Sequence, residues 1–288
     1  MAQHPDVRGF FDPATHTVTY LVSDPATGMA AIIDPVLDFD AASARTSTRS
    51  VDAVMAALET AGLTLAMVLE THAHADHLTA AAHLRRATGV SIGIGAHITK
   101  VQSTFAPLFG ADDVRSDGRV FDHLYGDGDS FALGELSVEV IHTPGHTPAC
   151  VSYRIGDAVF TGDTLFMPDY GTARTDFPGG DARTLYRSIQ RLLALPDDTR
   201  IFVGHDYLPQ GRTDYRFETT VADQRAHNIH VGGGISEEDF VAMREARDAA
   251  LGAPQLILPS LQVNIRAGDL PPPDAGGQRY LRLPLNAI

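Results

Sequence analysis

The chain has a single cysteine, Cys150, among 288 residues, so no intrachain disulfide is available. One lone thiol fits a reducing compartment. No apolar run approaches the roughly 20 residues that a bilayer span requires. Residues 1–17 lack a charged segment leading into an apolar one, so no secretory signal is expected. The same stretch is poor in arginine and carries Asp6 and Asp12, which argues against a mitochondrial transit peptide. A cytoplasmic location is the expectation. Positive charge is also scarce: the formal net charge is −14. Nucleic-acid binding needs clustered Lys and Arg against phosphates, so it is disfavoured as the main function.

Histidine is plentiful, with thirteen in the chain. Three of them fall in Thr71-His72-Ala73-His74-Ala75-Asp76-His77, directly after the apolar run Leu65-Ala66-Met67-Val68-Leu69. The run is short and lacks a 3.6-residue period, so it predicts a buried strand. Residues 77–88 are rich in helix formers and end at Gly89, which predicts a helix. Three imidazoles and a carboxylate therefore sit on a strand-to-helix turn, where they can converge on a metal ion.

Elsewhere the chain alternates short strands and helices. The sequence predicts a hairpin from Thr17–Val22 and Ala30–Ile33, a loop or insertion over 38–50, and a helix over 51–61. It further predicts a strand at 90–94, a helix over 97–109 followed by a loop carrying Pro107, and a hairpin from 130–133 and 136–141. Strands at 150–155 and 158–161 follow, then a helix over 181–195 and a strand at 201–203. Ser236 resembles a helix N-cap, opening a helix that reaches about Ala250. The remainder, with Pro271-Pro272-Pro273, is expected to be irregular. The chain reads as one domain over 1–288, with a core at about 15–210 and a C-terminal helix and tail at 211–288.

Ligand-type residues follow a predicted strand at four places: 72–77, His146, Asp163 and His205. Loops at one end of a layered α/β fold gather side chains from distant parts of a chain, which is what a metal centre requires. Glycines before His146, Asp163 and His205 allow tight turns there.

This order of ligands resembles the metallo-β-lactamase superfamily over approximately residues 15–210. The resemblance implies an α/β fold, an αββα sandwich of two mixed sheets flanked by helices. It implies a first site of His72, His74 and His146 and a second of Asp76, His77 and His205, bridged by Asp163. Ile33-Asp34-Pro35-Val36, Thr143 to Pro148, Arg174-Thr175-Asp176-Phe177, His205-Asp206-Tyr207 and, more loosely, Gln262 to Arg266 are similar to persulfide dioxygenases. That narrower resemblance implies one Fe(II) per chain, held by His72, His146 and Asp163 as the catalytic centre, with positions open for substrate and O2. His74, Asp76, His77 and His205 would then support the centre through hydrogen bonds or form an alternative second metal site. The implied reaction converts glutathione persulfide and O2 to sulfite and glutathione, and a homodimer is compatible with the family.

Arg174 is a candidate contact for a substrate carboxylate, or else a partner of Asp176. Tyr207 is a candidate for a hydrogen bond in the pocket, or else packing. Cys150, in a strand, reads as a core thiol rather than a nucleophile. The chain departs from the family where Tyr170-Gly171-Thr172-Ala173 precedes Arg174, and segments 38–50 and 97–120 read as insertions. The rival activity is a glyoxalase-II-like dinuclear zinc hydrolase of S-acylglutathione thioesters. Against it, residues after His205 predict one helix rather than a helical domain. A metal-binding accessory protein without turnover is the remaining alternative.

Overall fold

The computed structural model describes residues 4–287. In chain order, β1 (Asp6–Asp12), β2 (Thr17–Ser23), β3 (Met29–Ile33), β4 (Val36–Asp40) and β5 (Arg45–Ser47) precede helix α1 (Arg49–Thr60). Next come β6 (Thr64–Leu69), β7 (Leu78–Thr79), α2 (Ala81–Thr88), β8 (Ser91–Gly95), α3 (Ile98–Phe109) and β9 (His123–Tyr125). The second half supplies β10 (Ser130–Leu133), β11 (Leu136–His142), β12 (Val151–Ile155), β13 (Ala158–Phe160), α4 (Ala182–Leu193), β14 (Arg200–Phe202) and β15 (Glu218–Thr220). Helices α5 (Val221–His227), α6 (Glu237–Asp248) and α7 (Ile257–Asn264) complete the elements.

Two six-stranded sheets, ordered β1-β2-β3-β6-β8-β9 and β10-β11-β12-β13-β14-β15, face each other. The apolar alternation of the strands places one set of side chains between them. Val18, Tyr20, Val22, Ile33 and Leu69 of the first sheet meet Val138, Val140, Tyr153, Phe160 and Phe202 of the second. The other faces carry helices. Leu21, Ile32, Val68 and Ile92 pack against α1, α2 and α3 through Val54, Leu84, Val101 and Phe105. On the far side, Val159 and Ile201 pack against Leu185, Ile189 and Leu192 of α4 and Phe240 of α6. This is the four-layer αββα arrangement. Each fully buried Leu, Ile or Phe contributes roughly 1.5–3 kcal/mol, which explains how the layers hold without a disulfide.

Strand pairing decides where the ligands emerge. Strands β3, β6, β8 and β9 run parallel, as do β13 and β14. Parallel neighbours release their following loops at a common edge, so Asp34, residues 70–77, Asp163 and His205 collect there.

Several expectations needed correction. Segment 38–50 is not a loop: β4 and β5 pair antiparallel, β4 also pairs with β7, and α1 begins at Arg49. Its strands are largely exposed, so no apolar alternation marked them. Segment 97–120 includes a core layer, because α3 buries Ile98, Val101, Phe105 and Phe109, and Pro107 lies inside that helix. The helix after the histidine cluster begins only at Ala81, since Leu78 and Thr79 pair with Leu37 and Val36. Strands β1 and β9 had no clear sequence signal. Three helices rather than one follow His205, so helix content there does not weigh against a hydrolase. Among residues 269–287 no helix or strand is present, as expected.

Candidate metal centre

The loop after β6 is fastened by protein hydrogen bonds alone. Asp34, at a positive φ of 50° after β3, accepts hydrogen bonds from the Thr71 amide at 2.7 Å and the Thr71 hydroxyl at 2.8 Å. Because that hydroxyl donates to Asp34, its oxygen is free to accept from His72 Nδ1, 3.0 Å away. His72 therefore carries its proton on Nδ1 and leaves the Nε2 lone pair bare. The same logic fixes His146: Nδ1 lies 2.8 Å from the Arg174 carbonyl, which can only accept. Both bare Nε2 atoms converge on Asp163 Oδ2, at 3.8 Å from His72 and 3.7 Å from His146. The ligand atoms of the three residues lie within 4.8 Å of one another.

Neighbouring groups fall into different relationships. His205 directs Nδ1 to the His16 carbonyl at 3.2 Å, and its Nε2 faces Asp163 Oδ1 at 3.2 Å and Asp76 Oδ2 at 3.4 Å. Asp76, Asp163 and His205 form a second possible set of ligands, and His74, Asp76 and His77 a third. His74 Nε2, however, lies 3.1 Å from Asp34 and 3.4 Å from Glu70. It lies against these two carboxylates, and outside the His72, His146 and Asp163 group it also gathers with Asp76 and His77.

Charge and burial fit a cation. Burial alone would raise the Asp163 carboxyl, yet the neighbouring His205 above all holds it below the usual carboxylate range. Burial keeps His72 well below the ordinary histidine value, and therefore neutral. An ionised carboxylate and a neutral imidazole are the forms that bind metals. For His205, burial pulls down, but Asp163 and Asp76 outweigh it and push the ring up to about 9. Buried Nε2 of His72, His74, His77 and His205, Nδ1 of His74 and Oδ1 of Asp163 have no hydrogen-bond partner among the described residues. One such orphan costs roughly 1–3 kcal/mol; their concentration among the grouped His and Asp side chains marks ground that a bound cation would fill.

Two glycines are required by the geometry. Gly145 has φ +134°, and a Cβ there would stand 2.3 Å from the Leu185 backbone nitrogen. Gly162 has φ +49° and abuts the Thr71 hydroxyl, which a Cβ would reach at 2.4 Å. Gly204 differs: it is needed for close approach, since a Cβ would lie 2.8 Å from Asp163 Oδ1.

His146 and Asp163 open onto a cavity of about 360 Å³ walled by Phe166, Tyr170 and Tyr207. Tyr207 stacks on His205 with 5.4 Å between ring centroids and contacts Tyr170 at 4.9 Å. Arg174 also lines the cavity, but its guanidinium is already engaged. Nε and Nη2 each donate to Asp176 at 2.5 Å, and Nη1 donates to the Gly252 carbonyl at 2.8 Å. Of its two sequence readings, the structure favours the salt bridge. Cys150 is buried, and burial pushes its thiol up to about 12, so it is a core residue.

Sequence reasoning assigned no role to four contributors. Asp34 and Glu70 flank His74, and Thr17 Oγ1 lies within 3.2–3.4 Å of Asp76, His77 and His205. Asn264, on α7, donates to the carbonyls of His74 and His77 and accepts from the Thr79 amide. Only the loose resemblance around Gln262 to Arg266 hinted at it.

The metallo-beta-lactamase superfamily pattern matches residues 12–205. A probable metallo-hydrolase of Burkholderia pseudomallei is 53% identical, covering 98% of this chain and 99% of its own. A protein of Dictyostelium discoideum named Glyoxylase B2 is 45% identical over 100% of this chain and 99% of its own. The mitochondrial persulfide dioxygenase ETHE1 of Mus musculus is 33% identical over 93% and 90%. The crystal structure of ETHE1 from Myxococcus xanthus superposes with a TM-score of 0.73 at 35% identity, covering 92% of this chain and all of that one. With its ligand residues gathered at one edge of an αββα sandwich, this chain belongs to the metallo-beta-lactamase superfamily and has persulfide dioxygenases among its homologues.

Proposed function

We propose that the protein is an Fe(II)-dependent persulfide dioxygenase acting on glutathione persulfide. In that reaction O2 oxidises the outer sulfur, water supplies the third oxygen of sulfite, and glutathione is released. The carrying observation is the division of labour among the histidines. His72 and His146 present bare Nε2 atoms to Asp163, while His74 faces Asp34 and Glu70. A two-histidine, one-carboxylate set suits a ferrous ion, which when bound supplies open positions for a sulfur ligand and O2. The persulfide dioxygenase relative and the matching solved structure support the same reading.

The chain's own residues do the rest. Thr71 and the Arg174 carbonyl hold the His72 and His146 protons on Nδ1. Phe166, Tyr170 and Tyr207 shield the approach from bulk water and leave room for a small thiol. His74, Asp76, His77 and His205 act as supports, with His205 Nε2 beside the second oxygen of Asp163 and Asp76 beside the same nitrogen.

A second reading, a zinc hydrolase of S-acylglutathione thioesters, is favoured by one observation: Asp76, Asp163 and His205 can also hold an ion. The relatives named as a glyoxylase and a probable metallo-hydrolase point the same way. The two readings separate in one experiment. Anaerobically purified protein is supplied with glutathione persulfide under an oxygen electrode, and with S-lactoylglutathione in a parallel thioester assay. Oxygen uptake with sulfite formation supports the dioxygenase; thioester cleavage without oxygen uptake refutes it.

A further inference from the structure

We infer that Arg247 is the residue that binds the carboxylate of the thiol substrate at the mouth of the metal-site cavity. This rests on the reading that the site acts on a thiol carrier such as glutathione, and it assigns the end of that molecule remote from sulfur.

Three arginines line the cavity: Arg174, Arg244 and Arg247. Two are already committed. The Arg174 guanidinium is held in a salt bridge to Asp176 and a bond to the Gly252 carbonyl. Arg244 is buried, with Nε and Nη2 on Asp248 Oδ1 at 3.0 and 2.7 Å and Nη1 on the Thr172 carbonyl at 3.1 Å. The other Asp248 oxygen accepts from the amide and hydroxyl of Thr175. Arg247 stands one helical turn beyond Arg244 on α6, exposed, and its guanidinium has no partner among the described residues.

The charge balance sharpens this. The remaining charged cavity residues are Asp76 and Asp163, both tied into the metal centre. Arg247 therefore leaves an unmatched positive charge at the rim of a chain whose net charge is −14. An anionic molecule approaching that surface meets attraction at this rim. A guanidinium offers a carboxylate two parallel donors, fixing orientation as well as position. At about 360 Å³, the cavity is within the range that small-molecule sites occupy. A carboxylate held on α6 leaves the sulfur end to face His146 and Asp163, across the aromatic walls.

The test compares the iron-loaded wild type with Arg247→Gln, Arg247→Lys and a remote surface control, Arg119→Gln. Substrates are glutathione persulfide and its diethyl ester, in which both carboxylates are masked. Arg247→Gln is expected to raise KM for the free acid roughly tenfold at unchanged kcat and to leave KM for the ester alone. Arg247→Lys should fall between, and Arg119→Gln should match wild type. Calorimetric titration with glutathione and with its diethyl ester gives a readout independent of turnover: wild type should prefer the acid and Arg247→Gln should not. Equal losses on acid and ester, or a wild type that binds acid and ester equally or neither of them, overturns the assignment. Absence of oxygen uptake with the calorimetric preference intact would instead remove the proposed activity and leave the Arg247 site standing.

Discussion

The side-chain amide of Asn264 donates to the main-chain carbonyl of His74 at 2.8 Å, across 190 residues of sequence. It makes the same bond to His77, and its oxygen accepts from the Thr79 amide. One residue of the last helix thus sets the curvature of the loop that carries four of the ligand-type side chains. Asn264→Ala leaves two buried carbonyls and one amide unpaired. We expect a loss on the order of 3 kcal/mol in urea unfolding, together with weaker metal retention in dialysis against a chelator. A variant that keeps both stability and metal would show that the loop is held by its own turns.

Arg174 joins two segments through Asp176 and the Gly252 carbonyl. Arg174→Gln breaks its pair with Asp176 and its bond to Gly252, at a cost of about 1–2 kcal/mol. Thermal unfolding should register that loss. The preference of the enzyme for free acid over diethyl ester should not change, in contrast to Arg247→Gln.

His230 carries a pH dependence outside the metal centre. Burial, with Arg244 and Arg247 nearby, pushes it down to about 4, and the Thr172 amide donates to its Nδ1 at 3.0 Å. An unfolded histidine titrates near 6.5. From about pH 6.5 down to about 4, the unfolded chain binds a proton that the folded chain refuses, so stability falls as pH falls. The loss is ~2 kcal/mol once partial solvent access is allowed for. Urea unfolding at pH 7 and pH 4.5 reads it, and His230→Gln should flatten the difference relative to wild type. An equal pH slope in the two proteins would assign the effect elsewhere.

Gly145 is where backbone geometry and the metal centre meet. Gly145→Ala would force a Cβ to 2.3 Å from the Leu185 nitrogen at a φ that side chains rarely adopt. The turn must move, and His146 with it. We expect at least 3 kcal/mol of destabilisation and loss of metal together, measured by unfolding and elemental analysis of the same preparation. Retention of both would mean that α4 can shift away from the turn.

Much of this was legible in the sequence because the signals were local. The run Leu65 to Leu69 named a strand, and His72 to His77 named a metal loop. Ser236 named the start of α6, where its hydroxyl caps the Asp239 amide. What stayed hidden depended on partners distant in sequence. The pairing of β4 with β7 is set by a neighbour, not by the polar residues of 38–50. Arg174 could be read either way until Asp176 and Gly252 were seen around it. His74 looked equivalent to His72 in the motif, and only the approach of Asp34 and Glu70 distinguishes them. Helix α7 escaped notice because Pro259 lies inside it and polar Ser260, Gln262 and Asn264 break its apolar pattern, yet it holds the residue that fastens the ligand loop.

On the proposed reading a single iron is held by His72, His146 and Asp163, with His205 as support. Metal content after anaerobic purification tests it most directly, in wild type and in His72→Ala, His146→Ala, Asp163→Ala and His205→Ala. One iron per wild-type chain is expected, with loss of iron from the first three variants and substantial retention in His205→Ala. Two zinc ions per wild-type chain, or equal iron loss in His205→Ala, would contradict it.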